Sequence, residues 1–192
     1  MAQSIYKILL KMEGDAAVQE GLDQIAQTAG LTGAALSGFA AVAGKMAADY
    51  DFNLKKVESV TTDATGSIDS FDDALLNLSN ELEGAIGINE GAAASYDILS
   101  AGYKDQAEIL SILEASTKTA IGGFSDVGTV SDATTTILNS YGDALGENLS
   151  VTERVALVTD QMIAVQNEGK IVVNEYATQI GGVASTASTA GV

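Results

Sequence analysis

Apolar residues recur at helical spacing along most of this chain, and glycine closes nearly every run. Residues 97–110, DILSAGYKDQAEIL, show the unit: Ile98 and Leu99 end one periodic segment, Gly102 follows, and Asp105 with Glu108 opens the next. A stripe at that spacing buries itself only as one face of a helix, and glycine readily takes the left-handed backbone that terminates helices. The sequence has no proline, so glycines and capping side chains make the joints. A succession of such units predicts a mainly α fold of short antiparallel helix hairpins whose joints are turns, not active-site loops.

The first sixty residues follow a different plan. From Ser4 to Met12 the chain alternates, with Tyr6, Ile8, Leu10 and Met12 on one face and Lys7 and Lys11 on the other, as in a half-buried strand. No later segment offers it a partner strand, so residues 1–14 are expected to form an N-terminal strand arm that pairs with another chain. Residues 15–60 then carry a heptad seam: Val18, Leu22, Ile25, Ala29, Thr32, Leu36, Phe39, Ala43, Met46, Tyr50, Asn53, Val57 and Val60. Steps averaging three and a half residues keep one stripe facing a partner helix, the coiled-coil condition. Gly21, Gly30, Gly33, Gly38 and Gly44 oppose this, each costing about 1 kcal/mol relative to Ala in a helix interior. Association with copies of itself, through Val18, Leu22, Ile25, Leu36, Phe39, Met46, Tyr50 and Val57, is the expected compensation.

After a polar linker at 61–66, residues 67–192 read as an acidic series of short helices. Phe71, Leu75, Leu78, Leu82 and Ile86 mark the first, with Ser70 and Asp73 as a capping box; Asn89 is the expected cap of the second, ending near Ser100. Asp105 opens the third, Ser125 is the expected cap of the fourth, which carries Ile137 and Tyr141 to Gly142, Ser150 and Glu153 form a capping box for the fifth, and Asn174 begins the last.

The composition removes most chemistry. There is no His and no Cys, hence neither the commonest general base and metal ligand nor a thiol nucleophile. Net charge is −17, with four basic residues against nineteen acids after residue 60, a sign that repels phosphate backbones, so no direct nucleic-acid binding is expected. GKM at 44–46 lacks the glycine and the hydroxyl residue of a phosphate loop, and DYDFN at 49–53 has Leu54 and Val60 where a calcium loop needs Gly and Glu. Adjacent or two-apart acids such as Asp72 with Asp73, or Glu81 with Glu83, do not face each other on a helix. No enzyme activity, metal or cofactor is expected. The most apolar stretch, LTGAALSGFAAVAG at 31–44, is short for a membrane span and is closed by Lys45; insertion of residues 31–48 into a bilayer is the alternative reading.

Laid out as strand arm, long Gly/Ala-rich helix, linker and acidic helix hairpins, the chain resembles the N-terminal part of bacteriophage tail tape-measure proteins, most strongly from about Asp51 to Ala190. DFNLKKVESVTTDATGS is similar to the family's lead-in to its conserved module, and ALLNLSNELEGAIGINEGAAASYDILSAGYKDQAEILSILEASTKTA to its central signature. The matching positions are Leu99, Ala101, Gly102, Tyr103, Leu110 and Leu113. Tyr141 and Gly142 close the similar segment VSDATTTILNSYG, and NEYATQIGGVASTASTAG resembles the helix that follows. The resemblance implies a structural protein of a phage tail or related contractile particle, present in several copies in the tube lumen or at the tail tip. It further implies that its length limits tube polymerisation and that it leaves before DNA passes. Implied partners are tail tube, tail-tip or baseplate hub proteins and tail chaperones, with membrane contact possible during ejection. The implied location is the virion tail, after assembly in the host cytoplasm. At about 1.5 Å per helical residue, this chain could reach only around 290 Å, so a segment of a longer tape is expected.

Overall fold

The structure, a computed structural model, describes residues 33–60, 68–169 and 171–191. The expected strand arm, the start of the heptad helix and the linker at 61–66 lie outside them. The described residues are mainly helical, and among them there is no strand. Contacts divide the chain into two units, Met1–Phe52 and Asn53–Val192.

Helix α1, Gly33–Val60, is the longest and passes without a break through Gly38 and Gly44. In the first unit Val42, Met46 and Phe52 are exposed while Tyr50 is buried. In the second, Val57 is buried, Asn53 Nδ2 donates to Asn89 Oδ1 at 2.6 Å, and the Lys56 ammonium lies 5.5 Å from the centre of the Tyr96 ring. Among the described residues no helix is long and apolar enough to cross a membrane.

Six further helices follow: α2 Ile68–Glu81, α3 Ile88–Ser100, α4 Gln106–Gly122, α5 Val127–Tyr141, α6 Val151–Glu168 and α7 Val173–Ala190, with a 3₁₀ turn at Gly142–Leu145 between α5 and α6. Helices α4 and α5 lie at the centre: α2 and α3 pack against them as one pair, and α6 and α7 as another. The short joint between α4 and α5 and that between α6 and α7 meet at one end of this array. The α3–α4 and α5–α6 joints meet at the other.

The core is built from modest side chains. Leu75, Ile98, Ile109, Ile112, Leu113, Val130, Val155 and Met162 supply the apolar volume, with Phe71 as its one fully buried Phe among the described residues. Hydroxyls fill the places between them. Ser95, Thr117, Thr135 and Thr159 are buried, and each donates to the carbonyl four residues earlier: Gly91, Leu113, Ser131 and Val155, at 2.7–3.0 Å. A hydroxyl satisfied by its own helix can enter an apolar interface without the cost of an unpaired polar group, whereas the buried hydroxyls of Ser116 on α4 and of Ser131 and Thr134 on α5 have no hydrogen-bond partner among the described residues. At Gly91 an added Cβ would lie 2.9 Å from Leu75 Cδ1, so α2 and α3 also approach at glycine distance.

Helix starts agree with expectation where the cap is local. Asp105 accepts from the Ala107 and Glu108 amides, and Ser150 with Glu153 forms the full reciprocal box. Four expected caps are corrected. Helix α2 begins at Ile68, placing Ser70 and Asp73 inside it. Gly87, without a side-chain bond, precedes α3, because Asn89 is engaged by Asn53. Asp126, not Ser125, caps α5 by accepting from the Thr129 amide at 2.7 Å, and Ser125 Oγ instead accepts from Asn174 Nδ2 at 3.1 Å. At α7 the cap position is Val172, and the first amide, Val173 N, donates to Gln166 Oε1 at 2.9 Å. Helix α5 carries Ile137 and Tyr141 as expected, with Leu138 buried and Ile137 half-buried.

Helix ends need a second correction. After α3 the left-handed residue is a glycine, Gly102 at φ 109°, and Tyr103 N closes the turn onto Ile98 O. After α4 it is not: Phe124 holds φ 52° while Ser125 N bonds Ala120 O at 2.9 Å, and Gly123 sits at φ −101°. A left-handed conformation costs a residue with a Cβ roughly 1–2 kcal/mol, which glycine avoids. Gly123 is required for another reason, since a Cβ there would overlap Val173 and come within 2.9 Å of the Thr119 carbonyl.

Candidate functional site

The positions on which the family resemblance rests converge where the α3–α4 and α5–α6 joints meet. Leu99 and Leu113 are buried anchors, and Leu110 is half-buried on α4. Ala101, Gly102 and Tyr103 form the turn between them. Tyr103 Oη donates to Asn139 Oδ1 at 3.1 Å, and Asn139 Nδ2 donates to the Ala101 carbonyl at 2.9 Å. One amide side chain on α5 thus grips the turn twice, once through its side chain and once through its backbone.

Two residues beyond Asn139, the half-buried Tyr141 and Gly142 end α5 and lead into the 3₁₀ turn. The Arg154 guanidinium comes across from the first turn of α6: Nη2 donates to the Gly146 carbonyl at 3.0 Å, and Nη1 would lie 3.8 Å from a Cβ at Gly142. Gly146 stands at φ 145°, where a Cβ would also strike Leu149, so the turn that presents this carbonyl is open only to glycine. On the other flank Ser188 Oγ of α7 donates to the Ser140 carbonyl at 2.5 Å. Together Asn139, Ser140, Tyr141, Gly142, Ala144, Ser188 and Gly191 line an open cleft.

The electrostatics are those of a crowded acidic surface. Burial raises the Tyr103 phenol above its ordinary range, with nearby Glu108 adding and Arg154 opposing. Glu108 is itself raised, first by burial and then by Asp105. One turn back on α3, Asp97 is raised by burial and by Asp132 across on α5, while Lys56 works the other way. Tyr176 of α7 is raised by burial and by Tyr141. Two carboxylates move downward. Glu153 is held below its ordinary value by the backbone and hydroxyl of Ser150, and Asp126 by its Thr129 bonds acting against a desolvation effect that would raise it. What this arrangement does chemically is hold four chain segments in register through side-chain bonds. Among the described residues no group of three or more acidic, His or Cys side chains is placed to hold a metal ion.

The proposed seam residues are scattered in their placement. Met46 is 43% exposed, Tyr50 and Val57 are buried within this chain, Leu36 and Phe39 lie on α1, and Val18, Leu22 and Ile25 are outside the described residues. Sequence reasoning missed Asn139 and Arg154. Arg154 carried a signal, being the only arginine in the chain and lying next to the Glu153 of a capping box; Asn139 carried none, because its partners are 36 and 38 residues away.

The described residues form a hydrogen-bonded helical array in a chain of strongly acidic composition. Residues 72–192 match the model of the phage-related minor tail protein family, and the chain belongs to that family. A protein of Clostridium phage phiCD119 described as "Probable tape measure protein" is 28% identical over 184 residues, covering 89% of this chain and 18% of the relative. The chain therefore spans less than a fifth of that relative's length. No solved structure matches it.

Proposed function

We propose that this chain is a segment of a tail tape-measure protein, a non-enzymatic structural component of the virion tail that acts by helical packing of several copies inside the tube or at its tip. The observation that carries the reading is the likeness to a probable tape-measure protein along 89% of this chain. The helical fold supports it, as does a surface whose net negative charge would not retain DNA. Self-association would use the exposed α1 side chains Val42, Met46 and Phe52 together with the heptad residues before them. The tail tube, tail-tip or baseplate hub and chaperone proteins are the proposed neighbours, and assembly in the host cytoplasm the proposed route.

Length control is tested in the complete gene. Deleting about 50 residues of continuous helix from the full-length protein should shorten virion tails by roughly 75 Å, at 1.5 Å per residue. Tails of unchanged length in electron micrographs would refute the ruler role.

A further inference from the structure

The end of the array opposite the signature cluster carries an apolar tip. Phe124 is 85% exposed, Ile121 55% and Val172 43%. These three come from two joints that are tied together. Gln166 Nε2 donates to the Gly122 carbonyl at 3.2 Å while its Oε1 accepts from Val173 N, Asn174 reaches Ser125 Oγ, and Gly123 lies against Val173. The tip is thus held by the same kind of long-range bonds that organise the opposite end, and Phe124 stands on it with its ring in solvent.

The backbone makes this exposure informative. Phe124 occupies the left-handed position of the helix-ending turn, which glycine fills more easily, and two glycines directly precede it. A strained aromatic residue that gains nothing from its own core is compensated elsewhere, and a rigid, desolvatable aromatic is the commonest kind of binding anchor. The flanking charge indicates what receives it. Along the chain, Asp126, Glu168 and Glu175 lie within four residues of Phe124 or Val172, against Lys170 alone. A second copy would bring the same excess of carboxylates to the contact, whereas a basic rim would complement it.

We propose that the α4–α5 tip is a docking knob in which Phe124, flanked by Ile121 and Val172, inserts into an apolar pocket rimmed by Lys or Arg on a different protein. The proposal stands independently of the ruler reading, because tail length does not enter its test. Phe124 is replaced by the photo-crosslinker p-benzoylphenylalanine in the full-length chain, in the cells that assemble the complete particle, and the adduct is mapped by mass spectrometry. The expected product joins residue 124 to another polypeptide at apolar residues flanked by Lys or Arg, with a yield that falls as salt is raised before irradiation. Phe124→Gly, which suits the left-handed backbone, should leave thermal stability undiminished yet weaken binding to the mapped partner at least tenfold. Adducts only with a second copy, only with lipid, or none at all would overturn the proposal, as would unchanged affinity of Phe124→Gly.

Discussion

The two ends of the α4–α7 array solve the same problem with different residues. At the signature end glycine occupies positions that demand positive φ, Gly102 and Gly146, and the side chains of Asn139 and Arg154 bond the resulting turns. At the tip, glycine provides room instead of a backbone angle. Gly123 lets Val173 approach, while the left-handed position passes to Phe124. The contrast teaches that a glycine count alone does not identify a turn's purpose. One end is organised to hold itself together; the other is held together so that it can present an apolar surface.

The comparison is broken most strongly at Gly123. Gly123→Ala places a methyl group into Val173 and near a backbone carbonyl that cannot move freely. Destabilisation of about 1–3 kcal/mol is expected from such overpacking, read as a lowered denaturation midpoint with an unchanged slope. If the midpoint does not move, the close approach at the tip is not required for stability.

At the signature end the matching test is Ser150→Ala, which removes one half of the reciprocal box at the start of α6. The expected loss is about 1 kcal/mol. It should be accompanied by faster amide exchange in the first turn of α6, while the first turn of α5, capped independently by Asp126, keeps its protection. Equal loosening of both turns would show that the two ends are not separately organised.

The smallest effect separates the ends by pH. Glu153 and Asp126 both have depressed folded-state pKa values, so each contributes stability that is present above its ordinary value, 4.5 for Glu153 and 3.8 for Asp126, and is lost as pH falls through the folded value. The raised Asp97 and Glu108 act in the opposite sense: the folded chain takes up their protons more readily, so acidification to their folded values relieves first the burial of a charge and then the repulsion from Asp132 and Asp105, and adds stability. Amide exchange followed downward from neutral pH should therefore show a slight gain first. The α6 start should then loosen before the α5 start, because loss of the Glu153 contribution begins at the higher pH. The reverse order would contradict these cap assignments.

Much of the helical plan was legible because its signals are local. The run from Ile109 to Leu113, the cap at Asp105 and the box at Ser150 and Glu153 all lie within one or two helical turns of the features they determine. The signature stretch was legible as a stretch, but not as a cluster. Nothing near Tyr103 in the chain announces that Asn139 will hold it. Three of the four misplaced caps share one cause: several Ser, Asp and Asn residues stand near each helix start, and the local rules cannot choose among them once a distant group has claimed one. Asn89 is claimed by Asn53, Asn174 and Ser125 by each other, and the first amide of α7 by Gln166.

By itself, then, the amino-acid order determined that the described residues would be mainly helical, where most of their helices would fall, and that the chain would be strongly acidic, since propensity, periodicity and charge act over a few residues or by simple summation. Only the tertiary structure decided which polar side chains became caps and which became ties between joints, and that Gly123 would be needed for space while Phe124 carried the strained backbone. The ties between joints and the close approach at Gly123 depend on partners 36 to 50 residues away, brought within hydrogen-bonding or contact distance by packing. No local pattern contains that distance.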